Sequence, residues 1–159
     1  MKLFRWPAAV AIAALLLGAG GAPGDDKEEA AKKALKALEG NWQLTRQEER
    51  GSLTPKPVVA RLRIVIEGQQ MSWYIGNPAS NQDADLTIDP TKDPKTIDAE
   101  ITKGSAKDKK MLGIYKLDKN TLEVCWGEPG SDKRPTKFTS RPGVGSGNVY
   151  AKYEREKDK

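Results

Sequence analysis

Asn81, Asp83, Asp85 and Asp89 form the one acidic constellation in this chain whose spacing invites a cation. Their i, i+2, i+4 start matches the opening ligands of a calcium loop. Leu86, however, stands where the sharp turn needs glycine, and Lys92 stands where a bidentate glutamate is needed. Calcium is therefore not expected, and nothing places a second carboxylate opposite this group as a glycosidase requires. The chain contains no histidine, which removes the commonest general base, transition-metal ligand and proton switch. Cys125 is the single cysteine, and its place inside an apolar run predicts a buried, inert thiol. The alternative, a reactive or intermolecular thiol, requires an electropositive and partly open setting. Phosphate loop, nucleophile elbow, zinc spacing and dinucleotide fingerprint are all missing from the sequence. No catalytic residue, metal or cofactor is expected.

What remains is chemistry of binding. Trp73, Tyr115 and Trp126 fall on different apolar segments and are candidates to line a cavity for an apolar or planar ligand, with ordinary core packing as the competing role. Arg134 is a fourth ligand-binding candidate, because its planar fork suits a carboxylate or phosphate. The competing role for Arg134 is structural, bonding carbonyls of the loop before the last strand. Lys103, Lys107, Lys109 and Lys110 surround Asp108 and read as a solvated loop tip, or else as a contact for an acidic partner.

The elements that must position these residues are strands. Gly113 to Trp126 carries two β-prone apolar runs around Asp118-Lys119-Asn120, a hairpin whose loop needs a left-handed residue, here expected at the asparagine. Before it, Trp42–Glu49 opens the β region. Ala60, Leu62, Ile64 and Ile66 then alternate with polar residues, the clearest period of two in the chain. Gly68-Gln69 turns this run into Met71–Ile75. Ala84, Leu86 and Ile88 follow, then Ile97, Ala99 and Ile101. Residues 148–156 supply a closing strand. Loops rich in Gly, Pro, Asn and Asp separate these runs, among them Gly51–Pro57. About eight short strands imply an all-β domain, a sandwich or an up-and-down barrel.

Ahead of the strands, Asp25–Leu38 reads as a short amphipathic helix with Ala31, Ala34, Leu35 and Leu38 as its apolar stripe, capped by Asp25 and ended by Gly40. Residues 1–24 read as a signal peptide: Lys2 and Arg5, an apolar run from Ala8 to Leu17, then Ala22-Pro23-Gly24 before Asp25. The run is shorter than the ~20 residues of a spanning helix, so no stable membrane span is expected once the leader is removed; a retained anchor is the alternative. The expected location is periplasmic or extracellular. Loss of Lys2 and Arg5 lowers the formal net charge from +5 to +3. That modest excess is scattered among acids and does not suit nucleic acid.

Five stretches resemble a known family. They are Leu38-Glu39-Gly40-Asn41-Trp42, Asp93-Pro94-Lys95-Thr96-Ile97-Asp98, Gly113 to Cys125, Arg134-Pro135-Thr136-Lys137-Phe138, and the closing strand ending at Arg155. The family is an uncharacterised set of lipocalin-like, calycin-type β-barrel domains expanded in planctomycetes, and the match runs from about residue 35 to 156. The resemblance implies an eight-stranded antiparallel up-and-down barrel and no particular activity. With the leader, helix and tail read from the residues themselves, the domain plan is leader 1–24, helix 25–39, barrel 40–156 and a charged tail 157–159. In such barrels a Gly-x-Trp opens the first strand, its indole seals the floor, and a cation from the last strand lies over it. Gly40, Trp42 and Arg155 are the candidates for that closure. Lys119-Asn120 departs from the glycine usual at this turn, and Trp126 follows the cysteine. The function expected is binding of a small apolar or amphipathic molecule without catalysis, and the alternative is a protein-interaction module of the cell envelope.

Overall fold

The computed structural model describes residues 23–76, 79, 81–141 and 147–157. Helix α1 (Pro23–Leu38) leads into strand β1 (Gly40–Glu49), followed by the two-residue β2 (Ser52–Leu53) and a single helical turn, α2 (Lys56–Val59). Seven strands complete the chain: β3 (Leu62–Glu67), β4 (Gln70–Ile75), β5 (Gln82–Asp89), β6 (Lys95–Lys103), β7 (Lys110–Asp118), β8 (Thr121–Trp126) and β9 (Val149–Arg155). Strand order is β2-β1-β3-β4-β5-β6-β7-β8-β9, every pair is antiparallel, and β1 also pairs with β9. Eight strands thus close an up-and-down barrel, with β2 a short appendage on β1. Closure leaves no long free edge.

The period of two dictates which residues fill the interior. Ile64 and Ile66, Met71, Ala84 with Leu86 and Ile88, and Ile97 with Ala99 and Ile101 are all buried in one cluster. The floor end of the barrel is closed by α1, whose Leu35 and Leu38 enter the same cluster while Ala31 and Ala34 pack against it. Glu28 and Lys32, one turn apart, pair at 2.7 Å on the exposed face. The helix starts ahead of Asp25, so Asp25 and Asp26 occupy its first turn and do not cap it. Negative charge there complements the helix dipole.

Trp42 is fully buried, and its Nε1 donates to the Leu38 carbonyl at 2.8 Å. The Arg155 guanidinium lies 4.1 Å from the centroid of the Trp42 ring, while its nitrogens donate to the carbonyls of Ala37 and Glu39. One side chain from the last strand thus satisfies carbonyls at the end of α1 and covers the indole. Gly40 opens β1 at φ 128°, and a Cβ there would sit 2.7 Å from Arg155 Nη1. Glycine is needed here for the close approach and for the dihedral, and α1 has already stopped at Leu38.

Three local expectations are corrected. The loop Gly51–Pro57 holds β2 and the start of α2, and Ala60 caps α2 instead of entering β3. Asp118 and Thr121 are already in register, so the β7–β8 turn is Lys119-Asn120, and Lys119 takes the left-handed conformation at φ 50°. The Gly68-Gln69 turn is as expected, with Gly68 at φ 57° and Glu67 opposite Gln70. The expected leader lies outside the described residues except for its last two positions, which begin α1; the end of the charged tail is also outside them. Among the described residues no helix is long and apolar enough to cross a membrane.

Candidate functional site

The two ends of the barrel are built differently. At the floor, large side chains and α1 fill the cylinder. At the mouth, where β4 and β8 end and β9 begins, Trp73, Met111, Trp126, Ala151 and Tyr153 surround a cavity of about 520 Å³. The two indoles meet with centroids 6.4 Å apart and planes inclined at 60°, a tilted contact within the distance range of aromatic pairs. Trp126 owes its place to Gly113, its register partner on β7. A Cβ on Gly113 would lie 2.7 Å from Trp126 Cε3 and 3.0 Å from the Cys125 carbonyl. Gly113 is therefore the seat of the indole.

Polar groups enter this cavity at defined places. β1 carries a register shift between Leu44 and Arg46 against β9. A bulge of this kind reverses the facing of every later residue. Trp42 and Leu44 face inward below it, whereas Gln47 lines the cavity above it. Gln82, the first residue of β5, supplies a second amide, and Tyr153 of β9 supplies a phenol. Among the described residues the charged ones stand at the rim: Glu49 at the end of β1, Arg50 just after it, and Glu128 after β8.

A second cavity of about 250 Å³ shares Gln47, Trp73 and Tyr153 with the first. Its cause is the pairing of β1. Only Gly40–Gln43 bond to β3, and the rest of β1 follows β9. Gln43 sits at the divergence, where Nε2 donates to the carbonyls of Leu62 at 2.9 Å and Val59 at 3.2 Å, anchoring α2 beside the gap.

Of the four residues expected to bind a ligand, Trp73 and Trp126 come together in the mouth cavity, and Tyr115 and Arg134 do not line it. Tyr115 is buried in the floor half, opposite Lys95 and Val124. Among the described residues its hydroxyl has no hydrogen-bond partner. Arg134 lies on the outer wall, where Nη1 donates to Asp98 Oδ1 at 2.5 Å and to the Gly113 carbonyl at 2.7 Å. These bonds are structural, but they go to a carboxylate of β6 and a carbonyl of β7, not to carbonyls of the loop before the last strand. They clamp the β8–β9 connection onto β6 and β7.

That connection covers Ile114 and Cys125, both buried outside the main core cluster, and its own Ser140 is buried as well. Cys125 Sγ is 3.5 Å from the Thr139 carbonyl. Burial pushes its thiol up to about 11 and the Tyr115 phenol to about 12, and raises Tyr150 and Tyr153 further. Each group holds its proton more tightly folded than unfolded, so its stabilisation is intact below about pH 9 and is lost as pH climbs through the folded values. Urea midpoints measured from pH 8 to 12 are expected to fall continuously above pH 9. A midpoint unchanged up to pH 12 would contradict the burial of these groups.

The acidic constellation is dispersed by local bonding. Asn81 Oδ1 accepts from the Ile75 N–H, Asp83 pairs with Lys103, and Asp89 accepts from the N–H and hydroxyl of Thr91. Among the described residues no group of three or more His, Cys, Asp and Glu could hold a metal ion. In the basic loop, Lys103 and Lys110 reach Asp83 and Asp98 at 3.7 and 3.6 Å.

Gln47, Gln82, Met111 and Tyr153 are the cavity residues that the sequence reading missed. Alternation around the closing strand could have singled out Tyr153, since Ala151 and Tyr153 share one face; no sequence pattern marks the bulge that turns Gln47 inward. Compared with known proteins, the chain matches no family model, no curated protein and no solved structure.

Proposed function

We propose that this protein is an exported lipocalin-like domain that binds a small apolar or amphipathic molecule in its mouth cavity and performs no reaction on it. The observation that carries the reading is the cavity of about 520 Å³ with two indoles, a methionine and a phenol in its wall. Pockets of this size and lining are the common form of small-molecule sites. Cys125 gives no support to covalent chemistry, since it lies outside the barrel interior and its thiol is pushed up to about 11 by burial. Export rests on the leader pattern of residues 1–24, and membership of the planctomycete lipocalin-like family rests on the five motifs it resembles.

Titration of the purified protein with N-phenyl-1-naphthylamine, followed by tryptophan quenching, tests the binding reading. Saturable one-to-one quenching with a roughly micromolar Kd, about −8 kcal/mol, is expected, together with its loss in Trp73→Ala. Absence of saturable quenching by this and other apolar probes would reject it. The second reading, an envelope interaction module, draws on Leu53, Val58 and Ile75, which are 63%, 45% and 50% exposed on β2, α2 and the end of β4. Envelope proteins retained by the wild type and lost by Leu53→Ser with Val58→Ser would favour that module.

A further inference from the structure

The mouth cavity has a more specific chemistry than an apolar hole, and the following inference rests on the binding reading above. Among the described residues, neither the Gln47 amide, the Gln82 amide nor the Tyr153 hydroxyl makes a hydrogen bond within the protein. Gln43, on the same strand as Gln47, has three carbonyl contacts for its amide. The Tyr153 side chain is only 5% exposed, yet its phenol oxygen is not among the fully buried unpartnered atoms of the described residues, so the hydroxyl stays accessible to a guest. Unpartnered polar groups at a site disfavour a guest that leaves them unpaired and favour one that satisfies them.

Charge points the same way. Among the described residues Arg50 is the one cation lining this cavity, and it stands at the rim with the carboxylates Glu49 and Glu128. A carboxylate headgroup drawn inside would leave water with no buried cation to meet it, which is costly. At the rim it would meet two acids and one base. The inclined faces of Trp73 and Trp126 form a corner that suits a flat body better than a flexible chain, which must also be ordered on binding.

We infer that the mouth cavity selects uncharged, planar molecules bearing carbonyl or hydroxyl groups, which Gln47, Gln82 and Tyr153 recognise, over aliphatic chains with a carboxylate head. The amides can donate to a carbonyl or accept from a hydroxyl, and the phenol can do either. Burial raises the Tyr153 phenol far above neutrality, so it is a neutral partner throughout the physiological range.

Three probes separate the possibilities: 3-hydroxyflavone and anthracene, followed by tryptophan quenching, and dodecanoate, followed by titration calorimetry and by its displacement of bound anthracene. The flavone is expected to bind about tenfold more tightly than either other probe, as two or three neutral hydrogen bonds allow. The double variant Gln47→Leu with Gln82→Leu should lose about tenfold for the flavone and bind anthracene as well as or better than wild type. Tyr153→Phe should weaken the flavone alone, and it carries the test if the double variant does not fold. Dodecanoate binding as tightly as the flavone, or flavone affinity unmoved by these substitutions, would overturn the selection while leaving the cavity a binding site. Failure of all three probes to bind would remove the binding reading itself.

Discussion

Trp42→Ala is expected to cost about 3–5 kcal/mol in urea unfolding, the range for deleting a large buried aromatic. Trp42 is fully buried, its Nε1 holds the Leu38 carbonyl, and Arg155 covers its face at 4.1 Å. Three effects fail together when the ring is removed. A cavity opens at the floor, a carbonyl at the end of α1 loses its donor, and a guanidinium loses its aromatic support. A double-mutant cycle with Arg155→Ala separates this closure from ordinary core packing. Coupling of about 0.5–2 kcal/mol is expected from the cation over the ring. Strict additivity of the two substitutions would mean that Trp42 acts as filler and that Arg155 serves only the carbonyls of Ala37 and Glu39.

The second large effect is expected at Gly113. Its substitution by alanine brings a methyl carbon to within 2.7 Å of Trp126 Cε3 and 3.0 Å of the Cys125 carbonyl. Ring or strand must move, and overpacking of this kind costs about 1–3 kcal/mol. Because Trp126 is part of the mouth wall, the same change should alter its fluorescence and weaken ligand quenching together. Combining Gly113→Ala with Trp126→Ala should recover much of the added cost, since the ring contact is the closer one. If Gly113→Ala unfolds at the wild-type urea concentration with unchanged emission, the indole does not depend on this glycine for its seat.

Much of the barrel was legible because one buried face leaves a period of two in the sequence. Leu86 and Ile88 alternate with Thr87 and Asp89, and burial follows that alternation. The legibility fails where both faces are covered. In β7 and β8, Ile114 and Cys125 are buried as fully as Tyr115 and Val124, so the apolar run is continuous and its inward face cannot be read. The aromatic expectation shows the same limit: Trp126 reaches the mouth, whereas Tyr115, two positions beyond Gly113, sits in the packed floor. Depth along a strand depends on which end the helix closes, and that is a tertiary fact. Gln47 is harder still, because simple alternation from Trp42 and Leu44 puts it outside and only the bulge brings it in.

The seam between β1 and β9 has a consequence for biosynthesis. Arg155 reaches the carbonyl of Glu39, 116 positions earlier in the chain, and Glu156 donates its N–H to Asn41. The opening strand therefore stays half unzipped until the chain has been made as far as β9. Contacts of such long reach slow assembly and lengthen exposure of bare sheet edges.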